Sequence, residues 1–314
     1  MQGLELARAY YDAYGEAMLR ERFPQLLLHV AVGLFGSGSE CFGYDDDISR
    51  DHDFEPGFML LLPGEDAVDR RTAFLLERAY ASLPREFMGL RRGLMQPVGG
   101  PRRGVIRTAE FFEDKVGSPD GCLTADQWLT VPEYALAEAV NGALFYDGSG
   151  EVSAIRKRLA AYPEDVRKKK LAGHLLLMAQ SGQYNYPRCL AHGESGAAQL
   201  AVGEFVRHCI SCVFLLNAVY QPFYKWTFRA MRRLPRLSLL AEVMEYLLTT
   251  DNESEMAHSK RDVIEGVAAD VIAELQSRGL TSAADSGDLE KHARSVNDAI
   301  GDGRIRNLHI LSAV

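Results

Sequence analysis

The sequence predicts an α/β (α+β) fold, in which an N-terminal mixed sheet with flanking helices is followed by a C-terminal α-helical bundle. Two observations carry that expectation. Short apolar runs at 29–35, 58–62, 104–108 and 143–146 are separated by segments whose apolar residues fall three to five positions apart. After the turn Asp147-Gly148-Ser149-Gly150, the periodic segments near 163–180, 197–220, 224–234, 237–249, 260–278 and 288–300 all favour helices.

In chain order, Leu6, Tyr10, Ala13, Met18 and Phe23 mark one face of an opening amphipathic helix that ends near Pro24, where the missing amide hydrogen stops the ladder. A strand over 29–35 follows. The run 58–62, closed by Pro63-Gly64, continues a strand that starts near Asp51 with a break at Pro56-Gly57. A helix over 67–83 and a strand over 104–108 come next. Thr130-Val131-Pro132-Glu133 reads as a helix start with proline in the first turn, and Gly142 as that helix's C-terminal cap. The run 143–146 is the last strand. The turn behind it sets the expected boundary between a first domain, 1–150, and a second, helical domain, 151–314.

A chain of 314 residues that is 47% hydrophobic is long enough for two domains with real cores. Its formal net charge of −8 argues against a surface built for nonspecific nucleic-acid binding. The basic clusters Arg156-Lys157-Arg158, Arg167 to Lys170, and Arg232-Arg233 with Arg236 read as solvated helix faces. No segment is expected to reach the roughly 20 apolar residues that span a bilayer, and Glu5, Arg8 and Asp12 interrupt any signal-peptide pattern. The expectation is a soluble cytoplasmic protein with no membrane partner. Five scattered cysteines make no disulfide framework, and His208-Cys209-x-x-Cys212 lies in a helical apolar period that reads as core packing.

The most informative feature is Gly36-Ser37-Gly38-Ser39, placed directly after the first strand and separated by eleven residues from Asp51-His52-Asp53. In a strand, Asp51 and Asp53 point to the same face, so two carboxylates stand where a hard divalent ion can be shared. A Gly-Ser turn lets backbone N–H groups and a hydroxyl approach a polyphosphate without a side chain in the way. Two other readings stand beside this one. Asp45-Asp46-Asp47 make the segment a candidate solvated acidic loop. The alternation Asp45, Asp47, Ser49, Asp51, Asp53 imitates a calcium loop, but Arg50 replaces its glycine and Pro56 its final glutamate.

This pattern resembles the nucleotidyltransferase superfamily related to DNA polymerase beta, whose signature is a strand, Gly-Ser, about ten residues, then Asp-x-Asp or Asp-x-Glu on the next strand. Gly36-Ser37 also fits the spacing; Gly38-Ser39 is preferred because the string GSECFGYDDDISRDHDF then resembles one uncharacterised bacterial branch, a domain of unknown function. His52 departs from the aliphatic residue usual there. The two-domain layout resembles that of aminoglycoside nucleotidyltransferases, which makes 1–150 the catalytic and 151–314 the substrate-binding domain.

The resemblance implies a nucleoside triphosphate as substrate and Mg²⁺ or Mn²⁺ on Asp51 and Asp53, with nucleoside monophosphate transferred and pyrophosphate released. Gly38 and Ser39 would hold the β/γ-phosphates. It also implies a third carboxylate as metal ligand or general base, and Glu110 is the acid nearest the strand over 104–108, unless Glu110, Glu113 and Asp114 only decorate the first turns of a helix. Arg50 either contacts a phosphate or neutralises the acid cluster. In the helical half, 183–188 and 216–226 resemble motifs of the same branch. Tyr184 would stack on a nucleobase while Arg188 or Lys225 meets the triphosphate, the alternative being aromatic core. Asn217, inside an apolar helix, needs a hydrogen-bond partner. The acceptor stays open among small molecule, protein and RNA, and the oligomeric state is open too. Two further readings are a nucleotide-binding regulator without transfer chemistry, and the nucleotidyltransferase module of a toxin–antitoxin pair.

Overall fold

The apolar runs do fold as strands. They are β1 (Ala31–Leu34), β2 (Met59–Leu62), β5 (Gly104–Arg107) and β6 (Ala143–Asp147), joined in one mixed sheet of order β5-β2-β1-β6. β1 runs antiparallel to both β2 and β6, whereas β2 and β5 are parallel. A separate two-stranded ribbon, β3 (Glu86–Phe87) with β4 (Leu90–Arg91), lies between β2 and β5 in the chain. Every residue of β1 and β2 is buried, which is why their sequences are continuous apolar runs rather than alternating ones.

The computed structural model describes residues 1–48, 54–93, 102–285 and 287–314. Within these the chain divides into two units, Met1–Gln127 with Val131–Ala160, and Trp128–Thr130 with Ala161–Val314. Asp51, His52 and Asp53, and with them the start of the expected strand, lie outside the described residues, as does Arg50.

In the first unit the helices are α1 (Gly3–Tyr10), α2 (Glu16–Arg22), α3 (Ser39–Phe42), α4 (Arg70–Ala81), α5 (Thr108–Val116), α6 (Ala125–Thr130, shared with the second unit), α7 (Glu133–Val140) and α8 (Glu151–Leu159). The opening helix is interrupted by one π-helical stretch, Tyr11–Gly15, between α1 and α2. Tyr10, Tyr11 and Tyr80 surround Phe58, with ring centroids 5.9, 5.4 and 5.1 Å away. The Tyr80 hydroxyl donates to the Phe58 carbonyl at 2.9 Å and accepts its N–H at 3.1 Å, pinning the entry into β2. Burial pushes the Tyr80 phenol up, so it stays protonated and keeps that donor.

Pro132 is the N-cap of α7, one position before the expected first turn, because Thr130 closes the separate helix α6. The expected boundary at 150 would separate α8 from the sheet unit; α8 belongs with the sheet, and the division falls after Ala160.

The second unit holds α9 (Glu164–Met178), α10 (Tyr186–Ala191), α11 (Ser195–Leu216), α12 (Tyr224–Met231), α13 (Leu240–Thr249), α14 (Ser254–Ser277), α15 (Leu289–Asp298) and α16 (Gly303–Asn307), with a π-helical stretch, Ala179–Asn185, between α9 and α10. By length and composition α11 alone among the described helices would pass for a membrane span, against the sequence expectation, but its apolar window is mostly buried as a core helix. Cys209 and Cys212 are buried on it, and burial pushes the Cys209 thiol up to about 12.

Of the basic clusters, Lys157, Arg158, Arg232, Arg233 and Arg236 are exposed as expected, but the run Arg167 to Lys170 is not a solvated face. Lys169 is fully buried and donates to Asn297 Oδ1, Arg306 O and Leu308 O at 2.8, 3.3 and 2.6 Å, while buried Lys170 reaches Leu129 O and Ala313 O. Their aliphatic stems cross the core and the ammonium groups satisfy carbonyls at the ends of α6 and α16 and near the C-terminus. Arg232 pairs with Glu242 and Glu245, and Arg236 with Glu274. Asn217 finds its partners in Val213 O and in both backbone groups of Arg236.

Between α9 and α11, Nδ1 of His174 and Nδ1 of His208 are 2.8 Å apart, so one nitrogen donates and the other accepts, and both rings are neutral. Burial lowers both, His208 to about 4 and His174 well below its ordinary value; Arg207 pushes both the same way and Lys170 adds to it at His174, while Glu204, 3.3 Å from His208 Nε2, opposes at His208. Unfolded histidines titrate near 6.5, so between that pH and about 4 the unfolded chain binds protons that the native chain excludes, and stability falls as pH falls. We expect the urea midpoint to drop between about pH 7 and about pH 5 and the double variant His174→Gln/His208→Gln to lose most of that dependence. A wild-type midpoint constant across this range would contradict a neutral buried pair.

Candidate functional site

The sheet unit opens a cleft of about 230 Å³ where the chain leaves β1. Its described lining includes Gly36 and Ser37 from the loop after β1, Arg102 ahead of β5, Ile106 on β5, and Glu110 and Asp114 one turn apart on α5. Because β1 is buried on both faces, the backbone leaving it needs partners at once. Asn141, the C-cap of α7, supplies them: its Oδ1 accepts the Gly36 N–H and its Nδ2 donates to the Gly36 carbonyl, each at 2.8 Å.

Asn141 is itself held. Arg156, from α8, donates to Val140 O and Asn141 O at 2.7 and 2.5 Å, with its guanidinium 4.7 Å from the Phe35 ring centroid. A cation at these carbonyls also meets the negative end of the α7 dipole. Burial lowers the Arg156 pKa, yet a guanidinium keeps its proton. Gly142 then turns the chain with φ +59; a Cβ there would sit 2.1 Å from Leu34 O, so only glycine fits.

On the other side of the loop Arg102 donates to Ser37 O at 3.1 Å. Gly38, with φ 152, is the N-cap of the single turn α3, and Ser39 is that turn's first residue. Of the two Gly-Ser pairs it is Gly36-Ser37 that lines the cleft, while Gly38 faces the buried Glu40 carboxylate. Cys41, next along α3, is kept a neutral thiol by burial, with Glu40 adding to the shift. Asp45 receives the Gly3 N–H at 2.7 Å and so caps α1; it is a structural acid.

Glu110 is exposed in the first turn of α5 and not fixed on the strand, which is the helix-decorating alternative, but it does reach the cleft. Arg50, Asp51 and Asp53 lie outside the described residues. Tyr184, Arg188 and Lys225 all belong to the second unit. The Arg188 guanidinium lies 5.0 Å from the Tyr184 ring and the Lys225 ammonium 5.0 Å from the Trp226 ring, so both cations already engage an aromatic face. Tyr184 lines a second cleft, of about 730 Å³, whose described lining includes Asp285, Asp288 and Glu290 and no lysine or arginine. A triphosphate would meet like charge there.

Sequence reasoning missed Asn141, Arg156 and the dipeptide Arg102-Arg103. Asn141 was legible only as part of a helix end, and its partner lies 105 positions away.

Residues 128–227 match the model of a family described as "Domain of unknown function (DUF4037)". The two aromatic segments singled out in the helical half, 183–188 and 216–226, both lie in that stretch. No curated protein matches the chain. Among solved structures, it is similar to a nucleotidyltransferase-like protein from Exiguobacterium sibiricum 255-15, at 12% identity over 90% of each chain and a TM-score of 0.40.

Replacing Asn141 by Ala leaves the Gly36 N–H and carbonyl unpaired, which we expect to reduce stability by about 1–3 kcal/mol and to speed amide exchange at Gly36. Urea unfolding and hydrogen exchange measure both; unchanged exchange at Gly36 would show that the loop does not depend on Asn141.

Proposed function

We propose that the chain is a metal-dependent nucleotidyltransferase that moves a nucleoside monophosphate from a nucleoside triphosphate to an acceptor hydroxyl. The observation that carries the reading is the loop after β1: glycine-rich, hydrogen-bonded by Asn141 and Arg102, and opening on a cleft that also holds a carboxylate. Ser37, on the cleft wall, and Gly38 and Ser39 beyond it are the residues proposed to offer backbone N–H groups and hydroxyls to the phosphates, and the Arg102 guanidinium, also on the cleft wall, adds positive charge.

Among the described residues no group of three or more histidine, cysteine or acidic side chains is arranged to hold a metal ion. The metal ligands are therefore assigned to Asp51 and Asp53 on the sequence pattern, with Glu110 as third ligand or general base. A bound Mg²⁺ or Mn²⁺ would neutralise charge on the triphosphate. In the transfer an acceptor oxygen bonds to the α-phosphorus, the α–β bridging bond breaks, pyrophosphate leaves, and the acceptor proton goes to the base. Arg50 is kept as a phosphate contact. In the helical unit, exposed Tyr184 and Lys225, with Arg188, are the groups proposed to meet a nucleobase or the acceptor.

One observation favours a second reading, a nucleotide binder without transfer chemistry. Glu110 stands exposed on a helix, where a general base would be poorly fixed.

The test is calorimetric titration of ATP, GTP, CTP and UTP, each with Mg²⁺ and Mn²⁺, against the wild type and Asp51→Asn/Asp53→Asn, with pyrophosphate release followed in parallel. We expect metal-dependent binding of at least one nucleotide, lost in the variant. Binding without pyrophosphate release across varied acceptors would select the second reading; no binding by folded wild type would remove both.

A further inference from the structure

Glu40 and Arg103 form an ion pair beneath the loop, Nη2 to Oε1 at 3.3 Å, with both side chains only 7% exposed. Three glycines clear the space around them. A Cβ on Gly38 would lie 2.6 Å from Glu40 Oε2, a Cβ on Gly3 would lie 2.7 Å from Glu40 Cβ, and a Cβ on Gly57 would lie 2.7 Å from Arg103 Cδ. The pair is thus threaded between the loop after β1, the first turn of α1 and the segment entering β2. Arg103 also adjoins Arg102, which holds Ser37, so one dipeptide ahead of β5 grips the loop at two points.

A buried carboxylate beside a loop meant for phosphates is an electrostatic contradiction unless it is neutralised. We infer that Arg103 is a positioning residue for the phosphate loop: it cancels the Glu40 carboxylate beside Gly38, so that Glu40 can wall the loop without repelling the anionic part of a nucleotide. The inference rests on the nucleotide reading above and adds to it the way the loop's charge is set.

The two partners have opposite charges, so their removal has opposite consequences for an anion. Arg103→Met leaves a bare carboxylate by the loop; pyrophosphate, titrated with Mg²⁺, should bind about tenfold or more weakly. Glu40→Gln leaves a bare guanidinium, and pyrophosphate should bind as tightly as to wild type or more tightly. The neutral double variant Glu40→Gln/Arg103→Met should return to within about threefold of wild type. A purely structural pair behaves otherwise: both single variants weaken binding and the double variant does not recover.

Circular dichroism and thermal melting check that each variant is folded. If Arg103→Met does not fold, the sign of the change in Glu40→Gln decides alone, and a loss there overturns the inference. Wild-type binding with Arg103→Met unchanged overturns it too. If the wild type binds neither pyrophosphate nor any nucleoside triphosphate, the nucleotide reading fails, and this inference with it.

Discussion

Burial of β1 and β2 on both faces is the constraint from which the candidate site follows. Such strands have no solvated face along their length, so polar chemistry has room only where the chain leaves them. At the end of β1 the first free backbone groups belong to Gly36, and Asn141 takes both of them. Asn141 thus fixes where the loop starts, and Arg156 extends the same logic one step back by holding the Asn141 carbonyl.

Several cations of this chain work inward. Lys169, Lys170, Lys260 and Arg156 all direct their charge at backbone carbonyls, three of them with almost no exposed surface. A carbonyl at a helix end or chain end carries partial negative charge and needs a donor, and a long cationic side chain brings a strong one without the burial of a second full charge. Lys260 adds two side-chain oxygens, Gln199 Oε1 and Asn252 Oδ1, to Thr250 O. Counting basic residues therefore misleads for the run Arg167 to Lys170, which reads as a surface patch and is largely an internal strut.

How much was legible depended on the range of the interaction involved. The four strands, the opening helix ending before Pro24 and six helical segments beyond 160 were readable, since each rests on periodicity or turn chemistry within a few residues; the C-cap of α7 is Asn141, one residue before the expected Gly142, which makes the turn behind it. The proline of the α7 start was displaced by one position, and α8 was assigned to the wrong side of the boundary, because only its packing decides where it belongs. At the site, the Gly-Ser run was readable as a loop, yet which of its two pairs faces the cleft was not. Glu110, expected near a strand, stands on a helix and lines the cleft together with Asp114.

What the sequence determined by itself was local: the alternation of buried strands and helices, the helical second half, and the Gly-Ser run set ahead of Asp51 and Asp53. Steric limits on φ, the loss of a donor at proline and the burial of apolar runs act over a few residues and are written in their order. The tertiary structure alone decided the pairing of Gly36 with Asn141, of Glu40 with Arg103 and of His174 with His208. Those contacts join positions 105, 63 and 34 apart, and which donor meets which acceptor is set by how helices dock on a sheet or on each other, a geometry no stretch of neighbouring residues contains.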